Sequence, residues 1–285
     1  MKTSHARLYV LLARKAQVGV IFRRGPSKQV QLIKWDLQDD VFEKGQWFKG
    51  RIYERRSDLS PDGKFLIYFA AKYKGPLQSW TAICNPPFLT AIALWPKGDG
   101  WNGGGIFVSS RGILLNHLHE ETSLHSKYVK RIRLIHIESY ASSRGEDDTI
   151  WPFILTRDGW QQTQAPKWSD PYADKHFTWK AIVPKIWIKP NIKTGLALKM
   201  SIEGINQISG PWYCIHFQVL NTTNKVLLDL GVIDWADWDK NGDLLFAQKG
   251  CLFRQKLDSD KLQPPTLLAD FNSNKFEEIP PQIIE

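Results

Sequence analysis

The chain has 285 residues, with 38 Lys+Arg against 29 Asp+Glu and a formal charge of +9. Apolar residues make up 42% and aromatic residues 12%, enough for a sizeable core, which excludes wholesale disorder. The longest apolar runs, at 8–13, 65–71 and 90–96, fall far short of the roughly 20 residues of a membrane-spanning helix.

Strand signals dominate from the first residues onward. Short runs rich in Val, Ile, Phe, Tyr and Trp fall at 8–12, 18–22, 65–71, 105–108, 185–188, 212–219 and 244–247. Residues 29–35 and 130–138 alternate polar and apolar side chains. That period of two predicts one face in a core and the other in solvent. Sustained helical periodicity is absent, and one short helix is expected within 116–127. The fold class read from this pattern is all-β.

Gly-containing turns punctuate the strands at Asp62-Gly63, Arg111-Gly112, Asp158-Gly159, Glu203-Gly204 and Asn241-Gly242, at intervals of 38 to 49 residues. Such dipeptides suit tight hairpins because the turn requires positive φ. An interval of this size is what a four-stranded propeller blade consumes. Two turns also agree in their flanks. One runs Ser60-Pro61-Asp62-Gly63-Lys64 into an apolar strand, after Asp58. The other runs Asp239-Lys240-Asn241-Gly242-Asp243 into a second apolar strand, after Asp237. These two segments resemble the blade turns of TolB-type and WD-repeat β-propellers. The resemblance implies a β-propeller of five or six blades, with blades at 7–50, 51–97, 104–140, 150–190, 195–231 and 232–272. Five would follow if the N-terminal strands completed the last blade. A two-sheet β-sandwich is the structural alternative. The chain reads as a single domain, 1–285, with 273–285 as a tail that frays at 279–282.

Three separated cysteines, Cys84, Cys214 and Cys251, do not make a disulfide framework and read as small apolar residues. The N-terminus lacks the long apolar region of a signal peptide, so a cytoplasmic location is expected. No cofactor is implied. The glycine stretch 98–105 lacks a Walker ending and a following helix, so it reads as a mobile loop that exposes Trp101. The cluster His117, His119, Glu121 and His125 matches no zinc spacing and reads as an exposed polar loop, and no metal site is expected. Asp147 and Asp148, and Asp234, Asp237 and Asp239, are the acidic groups a glycosidase would need to converge. Asp58 and Asp237 read instead as hydrogen-bond partners of nearby backbone.

Thirteen tryptophans are spread along the chain, mostly as wedges between sheets. Trp101, Trp168 and Tyr172 fall in loop-like stretches and are the candidate contacts for a protein or peptide partner. Residues 1–56 hold 13 Lys/Arg and 5 Asp/Glu, a balance of +8, whereas residues 57–285 hold 25 against 24, a balance of +1. An asymmetry of that kind marks a surface for an acidic partner. Arg23, Arg24, Lys28, Arg51, Arg55 and Arg56 are the candidate phosphate contacts if that partner is nucleic acid. The expected function is a non-enzymatic interaction scaffold that binds a protein or peptide. The alternatives are nucleic-acid binding through the basic N-terminal segment and a carbohydrate-active or carbohydrate-binding propeller.

Overall fold

A computed structural model describes residues 5–25, 28–125, 127, 133–137, 147, 150–257 and 263–281. The chain divides into two compact units, Met1–Ile154 with Phe271–Glu285, and Leu155–Asp270.

The first unit opens with two antiparallel four-stranded meanders. Strands β1 (Arg7–Leu12), β2 (Val18–Arg24), β3 (Gln29–Asp36) and β4 (Val41–Lys49) form one sheet. Strands β5 (Arg51–Leu59), β6 (Leu66–Ala71), β7 (Ser79–Cys84) and β8 (Ala91–Lys97) form the next. Their facing side chains, among them Phe22, Leu32, Leu66, Tyr68 and Ala82, make one core. A smaller sheet follows. Strands β9 (Gly105–Phe107) and β10 (Gly112–Asn116) form a hairpin, and β11 (Arg133–Ile137) joins β10 in parallel.

Helix α1 (Trp151–Arg157) carries no periodic signature in the sequence, because seven residues are too few to display a period of 3.6. It ends in a Schellman motif: Trp160 N–H donates to Leu155 O and Gly159 N–H to Thr156 O. The second unit continues with β12 (Gln161–Gln164), β13 (Lys167–Trp168), β14 (Phe177–Pro190), β15 (Ala197–Gln207), β16 (Tyr213–Leu220) and β17 (Val226–Val232), all in one antiparallel sheet. Its last sheet is the meander β18 (Trp235–Trp238), β19 (Leu244–Gln248), β20 (Cys251–Gln255) and β21 (Thr266–Asp270).

The fold is all-β, built of the up-and-down sheets that serve as propeller blades. Among the described residues four sheets have four or more strands, so the blade count is four rather than five or six. The regions 150–190 and 195–231 do not form separate blades, because β14 is 14 residues long and pairs with β15 across both. Gly204 lies inside β15 opposite Cys214 instead of in a turn. A Cβ there would meet the Phe177 ring at 2.5 Å, so the glycine admits a close ring rather than a bend. Five separate sheets replace the sandwich alternative. The last sheet closes on its own strands without β1.

Two further expectations are corrected by one feature. The C-terminal segment is docked as far as Ile279, where fraying is expected to begin, and Gln282 lies outside the described residues. Arg23 donates to Phe271 O at 3.1 Å and to Asn272 O at 3.3 Å, Asn274 Nδ2 donates to Gln31 Oε1 at 2.8 Å, and Gln46 Nε2 donates to Ile279 O at 3.1 Å. Phe42 meets Phe271 edge-on at 5.4 Å, and Trp47 meets Phe276 at 6.1 Å. Asn274 thereby covers Gln31, a buried polar residue that the alternation of β3 assigned to solvent.

Both blade-type turns carry the same local device. Gly63 and Gly242 take φ of +73° and +92°. In the first turn Ser60 Oγ donates to Asp62 at 2.6 Å and accepts from Phe65 N–H at 2.9 Å. In the second, Asp239 accepts from the N–H groups of Asn241 and Asp243 at 2.7 and 2.8 Å. Asx-type bonds of this kind explain why Asp and Ser occupy those positions.

Candidate anion-binding site

The basic residues of the N-terminal segment separate into two groups. Arg56, Arg23 and Arg55 are structural. Arg56 is fully buried, 2.7 Å from the Asp147 carboxylate, and donates to the carbonyls of Gly100 and Asn102. Its guanidinium also lies over the Tyr53 ring at 4.5 Å. Arg23 is buried against the docked C-terminal segment, 5.5 Å from the Trp47 ring. Arg55 lies between the rings of Tyr9 and Trp151, at 5.0 and 4.9 Å. A nucleic-acid phosphate cannot reach a guanidinium enclosed in this way, so these three are withdrawn from the candidate interface.

Arg24, Lys28 and Arg51 do come together. They line a pocket of about 720 Å³ at one rim of the first two sheets. Register explains the convergence. β1 pairs with β2 so that Arg7 faces Arg24, and Arg51 faces Ala71 across β5 and β6. Gly50 lets the backbone approach closely here, since a Cβ would stand 2.7 Å from Ala71 O. Its N–H donates to Lys28 O at 3.1 Å, tying the β2–β3 turn to the start of β5. The walls are completed by His5, Lys72, Tyr73 and Lys74, so the sequence alone points to three of the seven basic side chains. Among the described residues no Asp or Glu lines the pocket.

Glu54 stands behind that wall, 3.3 Å from Arg24 and 3.4 Å from Arg55. Burial acts to raise its pKa, but the neighbouring guanidinium groups of Arg24, Arg55 and Arg51 hold the carboxyl below its ordinary range. The carboxylate therefore stays charged and fixes Arg24 in place.

Tyr73 is half exposed and occupies the left-handed backbone region at φ +52°. Its hydroxyl is held by that of Tyr53 at 2.5 Å, and Gly100 abuts it so closely that a Cβ would lie 2.5 Å from the oxygen. The ring is fixed at its tip and open on its flank. The loop around Gly100 is tied to its neighbours by hydrogen bonds. Besides the bonds to Arg56, Gly103 N–H donates to Asn116 O at 2.7 Å and Gly104 N–H to Thr81 Oγ1 at 2.7 Å. It does expose Trp101, at 63%.

Trp168 and Tyr172 belong to the second unit. Trp168 is half-buried in β13, whereas Tyr172 is 74% exposed. The expectation for His117 is corrected too. The ring is fully buried, with Nε2 2.7 Å from Thr81 Oγ1 and Nδ1 3.0 Å from Glu121 O, while His119 is exposed. Asp58 accepts from Phe107 N–H at 2.7 Å, and Asp237 accepts from Lys189 Nζ at 2.6 Å and Trp238 N–H at 2.7 Å. Asp147 is taken by Arg56, and Asp148 lies outside the described residues. Cys84 is buried, and burial pushes its thiol well up. In the second unit His216 bridges Asp229 at 2.6 Å and Glu203 at 3.2 Å. No described helix is long and apolar enough to cross a membrane.

No family model and no curated protein matches the sequence. Among solved structures, the chain overlaps an uncharacterized protein of Listeria monocytogenes EGD-e at 11% identity and a TM-score of 0.32, over 96% of this chain and 86% of that one. It also overlaps the β-propeller domain of the Trilobed protease of Pyrococcus furiosus, at 11% identity and a TM-score of 0.33, over 95% of this chain and 100% of that one. Overlaps at this level carry no argument about activity.

Proposed function

We propose that the chain is a binding module that holds nucleic acid by its phosphates, through the basic pocket of the first unit. The observation that carries this reading is the convergence of seven basic side chains on one concavity with no described carboxylate in its lining. Low-dielectric walls around charges of one sign focus the field and raise the local concentration of a polyanion. The fixed guanidinium of Arg24 suits bidentate phosphate contact, while Lys28, Lys72 and Lys74 act as exposed point charges.

The reading is tested by fluorescence anisotropy with a labelled 12-nucleotide strand across a salt series. Affinity should fall steeply with salt. The triple variant K28A/K72A/K74A should bind more weakly and lower the log–log salt slope by about 2, at roughly 0.7 for each phosphate no longer neutralised. An absence of binding at low salt would reject the reading. Equal binding of poly-glutamate would assign the pocket to an acidic protein partner instead.

A further inference from the structure

Resting on that reading, we infer that the pocket selects an unpaired nucleotide over duplex, with Tyr73 as the platform on which its base stacks. The pocket's 720 Å³ lies within the range of cavities that enclose a small ligand and requires a group that can enter. A duplex keeps its bases stacked inside and offers phosphates on a convex surface, whereas a single strand can splay one base inward. Tyr73 is positioned for that base. Its ring lines the pocket and is half exposed, and its hydroxyl is anchored by Tyr53. Tyr53 is in turn buried between Phe69, at 5.0 Å, and the Arg51 guanidinium, at 4.2 Å. A ring pinned in this way loses little freedom when a base stacks on it. Arg51 and Lys72 share the lining with Tyr73, so the pocket offers base and phosphate contacts together.

The test compares a 12-nucleotide single strand with the same sequence closed into a hairpin duplex, at one salt concentration. The wild type should prefer the single strand by tenfold or more. Tyr73→Ala should lose about 5- to 100-fold in single-strand affinity, the worth of one base–aromatic stack, and should leave duplex binding unchanged. Tyr73→Phe keeps the π face and should bind close to wild type. Circular dichroism of each variant confirms that the fold is retained. Equal affinity for duplex and single strand, or a Tyr73→Ala variant that binds the single strand as wild type does, would overturn the inference while leaving phosphate binding intact. Failure of both nucleic acids to bind would remove the functional reading, and the inference with it.

Discussion

In the second unit Lys189 stands 2.6 Å from Asp237, Lys180 stands 3.1 Å from Asp174, and Arg254 bonds Asp239. In the first unit Arg23 and Arg14 donate instead to backbone carbonyls, and Arg56 divides its donors between Asp147 and two carbonyls. A carbonyl satisfies a guanidinium's hydrogen bonds without cancelling its charge. A carboxylate does both. Within the first unit itself, Arg24, Arg55 and Arg56 meet the carboxylates of Glu54 and Asp147, whereas Arg23 is held by the carbonyls of Phe271 and Asn272. On the proposed reading, the exposed Lys28, Lys72 and Lys74 of the pocket are the charges left for an anionic ligand.

The contrast is broken most forcefully at Arg56. Replacing it with Met leaves the buried Asp147 carboxylate without its partner and should cost about 3–5 kcal/mol in urea unfolding. A loss below about 1 kcal/mol would show that the carbonyl cage is not what holds the 98–104 loop. In the second unit, Lys189→Met should cost less, about 1–3 kcal/mol at neutral pH. Burial raises the Asp237 pKa, against the pull of Lys189. Without Lys189 the pKa rises further, and a raised folded pKa means that stability falls as pH climbs above about 3.8. The deficit should therefore shrink as the pH is lowered toward 4, as read from paired melts.

The smallest effect is expected at His216. Burial acts to lower its pKa, but the hydrogen bonds and charges of Asp229 and Glu203 raise it on balance. The contribution is fully present below about pH 6.5 and is lost as pH rises through the elevated value. Melting temperatures between pH 5.5 and 8.5 should show this slope in wild type and a flatter one in His216→Gln. An identical slope in both would place the titration elsewhere.

Much of the fold is legible in the sequence because pleated strands advertise themselves in period two and their turns in Asp and Gly. Residues 29–35 are a strand for the first reason, 65–71 and 244–247 show as short apolar runs bounded by turns, and the devices at Gly63 and Gly242 are alike because each supplies positive φ with an Asp nearby. What escapes are features that short windows do not contain. Gln31 looks like a solvent-facing residue until Asn274, 243 positions away, covers it. Arg56 looks like a surface cation, yet its partners lie at positions 100, 102 and 147. The pocket is drawn from turns and strand ends between residues 5 and 74, so no contiguous basic block announces it. Lys72 and Lys74 draw no notice because they lie outside the N-terminal excess. Tyr73 carries no signal of its own, since its value comes from the Tyr53 hydroxyl beneath it.

The docking of residues 271–281 onto β3 and β4 also bears on biosynthesis. The aromatic surface of β3 and β4, including Phe42 and Trp47, is covered by Phe271 and Phe276, which are synthesised after the whole of the second unit. Until then that surface lacks its cover and is open to chaperones and to neighbouring nascent chains. Maturation of these strands thus waits for the segment that follows Asp270.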